Sequence, residues 1–310
     1  MCTVTKLPFR STAGPMLCLM VWQPAGKPRA VVQLAHGMAE HIERYDRLAR
    51  ALCDAGYAVA GHNHLGHGPE ARKEDLGFFA AEKGWNAVVE DVHKARVLLE
   101  EYFDNLPHVL LGHSMGSYVV REYLLRHPQK LAGCVISGTG TMSAALCSLG
   151  MAVSGLCALV GGWHKPAALV GKMVYGTQNN AFKPARTPFD WLSRDEKEVD
   201  QYIADPLCGF LFTARGYYDM FCGFKALTDL KRLSLMPKPL PVRFIAGSAD
   251  PVGANGQGVQ AVSRQFIAAG MKEVDVRLYN AARHELFNET NRDEVTDDLI
   301  AWLNALPVRN

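Results

Sequence analysis

His108-Val109-Leu110-Leu111-Gly112-His113-Ser114-Met115-Gly116 decides how this chain is read, because an apolar run ends on a serine held between two glycines. The run 108–112 has the length and residue types of a buried strand. Residues 118–126 read as a helix stopped before Pro128. Glycines on both flanks let the backbone make a strained strand-to-helix turn that lifts the Ser114 hydroxyl above the sheet. A five-residue match alone carries little. The strand before it and the helix after it make it the signature of a nucleophile.

Working outward, short apolar runs at 17–22, 30–35, 57–62, 131–137, 242–246 and 274–279 read as strands. Helical stretches fall between them at 44–55, 85–103, 259–269 and 295–306. In the second, Val88, Val92, Ala95, Leu98, Leu99 and Tyr102 form one apolar stripe at three-to-four spacing. Such alternation predicts an α/β fold with a mostly parallel, doubly wound sheet and helices on both faces. It stops between 139 and 235, where the chain reads as helix and loop with prolines at 166, 184, 188 and 206. The expected organisation is therefore one catalytic core, 1–138 and 236–310, carrying an inserted helical cap at 139–235.

Composition narrows the function classes. The 310 residues include 33 basic and 31 acidic side chains, a net charge of +2, which offers no strong field for nucleic acid. With 48% hydrophobic and 21% charged residues, the chain is neither disordered nor a polytopic membrane protein. None of the eight cysteines has Cys-x-x-Cys spacing, so reduced thiols in a cytoplasmic protein are expected, without a zinc ribbon or disulfide framework. Residues 16–22 are too short an apolar run for a signal peptide and fit a strand better. Residues 143–163 contain no charged side chain or histidine and are long enough to span a bilayer. Four glycines and three serines within them, and the halves of one core on either side, favour a lid helix that is buried or touches lipid.

A serine hydroxyl needs a base, and the base needs an orienting acid. On this scaffold both follow the nucleophile, acid first, each after a strand. Asp250 stands beyond strand 242–246, and His284, the only histidine after His164, beyond strand 274–279. An oxyanion hole needs two backbone N–H donors. Met115, directly after the nucleophile, supplies one; Met38, after Gly37 at the end of strand 30–35, is the candidate for the other.

The order His36-Gly37-Met38-Ala39-Glu40-His41, Gly112-His113-Ser114-Met115-Gly116, Asp250, His284 resembles the α/β-hydrolase family of monoacylglycerol lipases and lysophospholipases. The resemblance covers nearly the whole chain and is weakest in the cap. It implies a triad of Ser114, Asp250 and His284, with oxyanion donors at Met38 and Met115. The Glu and Arg that the family places near the substrate's polar head group match Glu40 and Arg44, residue types equally at home at a solvated helix start. The chain departs from the family at Asn63, where an aspartate is frequent, and at Glu70, where a serine is usual.

The expected activity is hydrolysis of a carboxylic ester, a monoacylglycerol or lysophospholipid, with no metal or organic cofactor. The cap would set chain length and could meet membranes through its apolar face. Three rival readings follow from the same residues. His62-x-His64-x-x-His67 resembles a metallo-β-lactamase signature, but Gly66 occupies the required aspartate position. The same triad could serve an aminopeptidase or amidase, with Glu40 as the acid for a substrate ammonium, or a general short-chain carboxylesterase. A non-catalytic binding protein would need none of the three triad groups.

Overall fold

A computed structural model describes residues 2–307. Eight strands form one sheet: β1 (Thr3–Arg10), β2 (Met16–Gln23), β3 (Val31–Ala35), β4 (Ala58–His62), β5 (His108–His113), β6 (Gly133–Ser137), β7 (Val242–Gly247) and β8 (Val274–Tyr279). Their spatial order is β1-β2-β4-β3-β5-β6-β7-β8. β3 to β8 run parallel, while β1 and β2 form an antiparallel hairpin at one edge. β1 lies outside the sequence expectation. Its Pro8 and lysine-bearing alternation suit an edge strand with one solvated face. Asp91 secures the hairpin, accepting hydrogen bonds from Ser11 Oγ at 2.6 Å and Thr12 N at 2.8 Å.

The central strands are buried on both faces, which is why they read as unbroken apolar runs. Along β5, Leu110 packs toward one side while Val109 and Leu111 pack toward the other. One face carries α1 (Asp46–Asp54) and α9 (Arg292–Ala305), through Leu48, Leu52, Val295 and Leu299. The other carries α2 (Gly84–Tyr102), α3 (Met115–Arg126) and α8 (Gln257–Ala268), through Val88, Val92, Val119, Val120, Val259 and Phe266. α3 begins at Met115, three residues before the apolar periodicity becomes visible, because the nucleophile turn feeds directly into it.

Between β6 and β7 the chain forms α4 (Ala144–Gly161), α5 (Ala168–Tyr175), α6 (Glu196–Ala204) and α7 (Ala214–Ala226). α4 is the apolar stretch picked out in the sequence. Its mean hydropathy is 1.9, and it is long and apolar enough to cross a membrane by length and composition. In the fold it packs against α7. Its small residues Cys147, Gly150, Ser154 and Ala158 make a buried seam, and a Cβ on Gly150 would meet the Phe221 ring of α7 at 2.5 Å. Leu149, Leu156, Leu159 and Val160 stay exposed on its other side, the last two at 86% and 87%.

Candidate active site

Four loops at the carboxyl ends of parallel strands converge, as open α/β sheets favour. Ser114 follows β5, residues 36–41 follow β3, Asp250 follows β7, and His284 follows β8. Ser114 holds φ 51° and ψ −120°, a conformation that non-glycine residues rarely adopt. Its neighbours permit the turn sterically: a Cβ on Gly116 would run into the Ala35 carbonyl, and one on Gly112 into the Gly116 carbonyl. Ser114 N–H donates to Ser137 O at 3.0 Å, pinning the turn to the end of β6.

His284 Nδ1 lies 2.9 Å from Asp250 Oδ2, both groups fully buried. Asp250 is held by its own turn, its Oδ1 accepting Val252 N–H at 2.9 Å. Burial disfavours the imidazolium, but the Asp250 carboxylate outweighs it and lifts His284 above the ordinary 6.5. The His284 ring packs 4.7 Å from His113, the residue before the serine, and 5.1 Å from Trp191 of the cap segment. Burial takes His113 down to about 3, so this second imidazole is neutral at physiological pH.

Ser114, Met115 and Met38 line one cavity of about 270 Å³. Tyr118, Phe221 and Phe224 form apolar walls, while Leu146 and Met173, half in solvent, mark its mouth between α4 and α5. Among the described residues, no hydrogen bond takes up the N–H of Met38 or of Met115. Both residues line the same cavity as Ser114.

Glu40 and Arg44 form a buried ion network beside the serine loop. Neither lines the serine cavity. Arg44 binds Glu285 through two bonds of 2.6 and 2.7 Å and Glu40 through one of 2.8 Å, all three side chains buried or nearly so. Glu40 Oε1 in turn accepts Gly37 N–H and, at 3.0 Å, Tyr45 OH. Tyr202 from α6 covers the guanidinium at 4.9 Å, and its hydroxyl donates to Ala39 O at 3.0 Å. This ion triad braces the loop that carries Met38. Burial pushes Glu285 up, but Arg44 overrides it and holds the carboxyl at about 2. Glu40, with a single bond to the same cation and Glu285 nearby, is left raised by burial. Sequence reasoning missed Glu285, whose one signal was its place beside His284.

The histidine-rich loop braces the same strand end from behind. His67 Nε2 accepts Ala39 N–H at 3.2 Å while Nδ1 faces Leu65 O at 3.0 Å. His36 Nε2 accepts His64 N–H at 3.0 Å. Burial lowers His62 and His67 to about 4, leaving neutral rings; His67 bonds through both nitrogens, whereas His62 packs edge-on against Phe9 with neither nitrogen hydrogen-bonded among the described residues. Among the described residues, His62, His64 and His67 do not gather their nitrogens around one point as a metal would require. The two family departures prove linked: Asn63 Nδ2 donates to Glu70 Oε2 at 3.0 Å and to Glu43 at 3.3 Å. An aspartate at 63 would set a like charge against both acids, whereas the amide can donate to them.

Comparison with known proteins bears on the family and the fold. The Hydrolase_4 family, described as serine aminopeptidase S33, matches residues 26–291. The monoacylglycerol lipase of Mycolicibacterium smegmatis is 29% identical over 95% of each chain. Human monoglyceride lipase is 27% identical over 94% of this chain and 86% of that one. A thermostable carboxyl esterase from Bacillus coagulans, solved in complex with glycerol, superposes with a TM-score of 0.90 at 29% identity, covering 99% of both chains.

Proposed function

This chain belongs to the Hydrolase_4 (serine aminopeptidase S33) family of α/β-hydrolases, and from that premise we propose that it cleaves monoacylglycerol-type carboxylic esters through an acyl-enzyme on Ser114. It is a carboxylic ester hydrolase. The observation that carries the reading is the strained Ser114 lining an apolar cavity, with the Asp250–His284 pair packed on His113, the residue before the serine. Ser114 attacks the ester carbonyl and His284 takes its proton. Asp250 holds the imidazole in the tautomer whose Nε2 is free and stabilises the imidazolium that forms. The Met38 and Met115 amides receive the developing oxyanion. Alcohol leaves with the proton from His284, and water, activated by the same base, releases the fatty acid.

The cavity is close to the lower end of ordinary ligand pockets, about 300 Å³. That volume suits one acyl chain rather than several. Residues 139–235 act as the cap that sets chain length, and the exposed leucines of α4 are placed to meet a lipid surface beside the mouth. The amidase alternative needs an acid for a substrate ammonium. Glu40 is engaged by Arg44, Tyr45 and Gly37 and does not line the cavity, which supports an ester substrate.

A series of monoacylglycerols, lysophospholipids, short p-nitrophenyl esters and a proline anilide separates the readings. Monoacylglycerols are expected to give the highest kcat/KM, and preference for the anilide would overturn the assignment. Covalent labelling of Ser114 by a fluorophosphonate is expected, and a folded sample that resists labelling would favour a binding protein.

A further inference from the structure

Away from the serine cavity, three side chains bring metal-binding atoms from core and cap to a common point. His41 ends the loop after β3, while Asp205 and Cys208 lie just beyond α6. One donor atom from each stands within 4.8 Å of the other two. His41 Nε2 is 2.8 Å from Asp205 Oδ2, and on the far side of the ring Nδ1 is 2.9 Å from Glu43 Oε2. A carboxylate behind the second ring nitrogen is how proteins orient a ligating histidine and raise its basicity. Asp205 is also pre-set, its Oδ1 accepting Leu207 N–H at 2.8 Å. Next to it, Gly209 N–H donates to Ala39 O at 2.9 Å, so the cap segment already runs against the Met38 loop.

The surroundings favour a cation. Arg44 and Arg47 lie close by, but Glu40 and Glu285 bind the first and Glu198 the second, and Glu43 and Asp205 add further negative charge. A polar cavity of about 290 Å³, bordered by Asp205 and Glu43, opens alongside and has room for water as a further ligand. One nitrogen, one oxygen and one sulfur donor select a borderline-soft ion over magnesium or calcium.

We propose that His41, Asp205 and Cys208 form a binding site for Zn²⁺ that, when filled, ties the cap to the loop carrying Met38. Tetrahedral zinc with bonds of about 2.0–2.3 Å sets its donors roughly 3.3–3.8 Å apart. The His41–Asp205 contact therefore opens by about half an ångström while Cys208 closes in. The ion bonds to the Cys208 sulfur, the thiol proton passes to solvent, and no electron is exchanged. Affinity consequently rises with pH. Joining cap to core here restrains the movement that admits substrate and releases product, so zinc slows turnover. That last consequence rests on the proposed ester hydrolysis; the site itself does not.

Titration of the full, metal-free chain with Co²⁺, followed by absorption, tests the site without reference to activity. One equivalent is expected to give a thiolate-to-cobalt charge-transfer band and intense tetrahedral bands, both abolished by competing Zn²⁺. Cys208→Ser should remove the charge-transfer band and weaken Zn²⁺ binding at least tenfold, and Asp205→Asn should weaken it similarly. Cooperative melting of each variant establishes that it is folded. No band in the wild-type chain, or the same band and affinity in folded Cys208→Ser, would overturn the site. Zn²⁺ should also reduce turnover of a soluble ester at least severalfold in the wild-type chain, reversibly by chelator, and much less in Cys208→Ser. Equal inhibition in both would overturn the link between cap and turnover. A chain that gives the cobalt bands yet hydrolyses no ester would refute the proposed function while supporting the site.

Discussion

Replacing Glu285 by Gln tests the buried ion triad behind the oxyanion loop. Arg44 grips Glu285 with both terminal nitrogens and Glu40 with one, and all three side chains are largely withdrawn from water. Burial alone would raise Glu285; the guanidinium reverses that and places it at about 2 against an ordinary 4.5. A displacement of that size corresponds to about 3 kcal/mol of folding stability. Because the folded value is depressed, the contribution is complete above pH 4.5 and is lost as pH falls toward 2. Part of it is recovered in the variant: Glu285 helps keep Glu40 raised, and removing that neighbour relaxes Glu40 onto Arg44. The net cost of Glu285→Gln at pH 7 is therefore about 2 kcal/mol. Arg44→Met leaves two buried carboxylates without a cation and should cost about 4 kcal/mol. Urea unfolding followed by tryptophan fluorescence at pH 7 and pH 3 measures both. The gap between wild type and Glu285→Gln should shrink by more than half at the lower pH. A gap below about 0.5 kcal/mol at pH 7, or one unchanged at pH 3, would refute the idea that this pairing stabilises the fold.

Ser114→Ala should abolish turnover and fluorophosphonate labelling while the melting temperature stays within a few degrees, as read by activity assay and calorimetry. The acid limb of kcat/KM should have its midpoint above 6.5, activity rising as His284 loses its proton. Asp250→Asn removes the largest opposition to burial and leaves only the weaker pull of Glu285 and Glu40, so it should lower that midpoint and reduce kcat by about 10³–10⁴-fold, measured across a pH series. Gly150→Val would drive a side chain into Phe221, at a cost of about 1–3 kcal/mol in thermal unfolding and a shorter preferred acyl chain in the substrate series. Leu159→Glu with Val160→Glu should reduce sedimentation with lipid vesicles severalfold while sparing hydrolysis of a soluble ester.

The central strands were legible because burial on both faces forces unbroken apolar runs, and the helices between them because one face of each meets the sheet. The nucleophile turn was legible for a local steric reason, since its two glycines are needed where Cβ atoms would collide with backbone carbonyls. Of the edge hairpin, β1 escaped notice while β2 did not, because a strand with one solvated face and a proline carries a weak periodic signal. Glu40 and Arg44 show the other limit. Four residues apart, they suit a solvated helix start equally well; their burial depends on Glu285, 241 residues from Arg44, and on Tyr202 from the cap.

By itself, then, the sequence determined the alternating core, the helical insertion between β6 and β7 and the chain order of Ser114, Asp250 and His284, all properties of local spacing and periodicity. Tertiary structure alone decided which side chains line the cavity, which carboxylate Arg44 holds most strongly, and that the apolar stretch 144–161 is a helix seamed to α7. It also decided that His41 meets Asp205 and Cys208. Those outcomes depend on distances and on water exclusion between segments far apart in the chain. Neither quantity is encoded in any short stretch of residues.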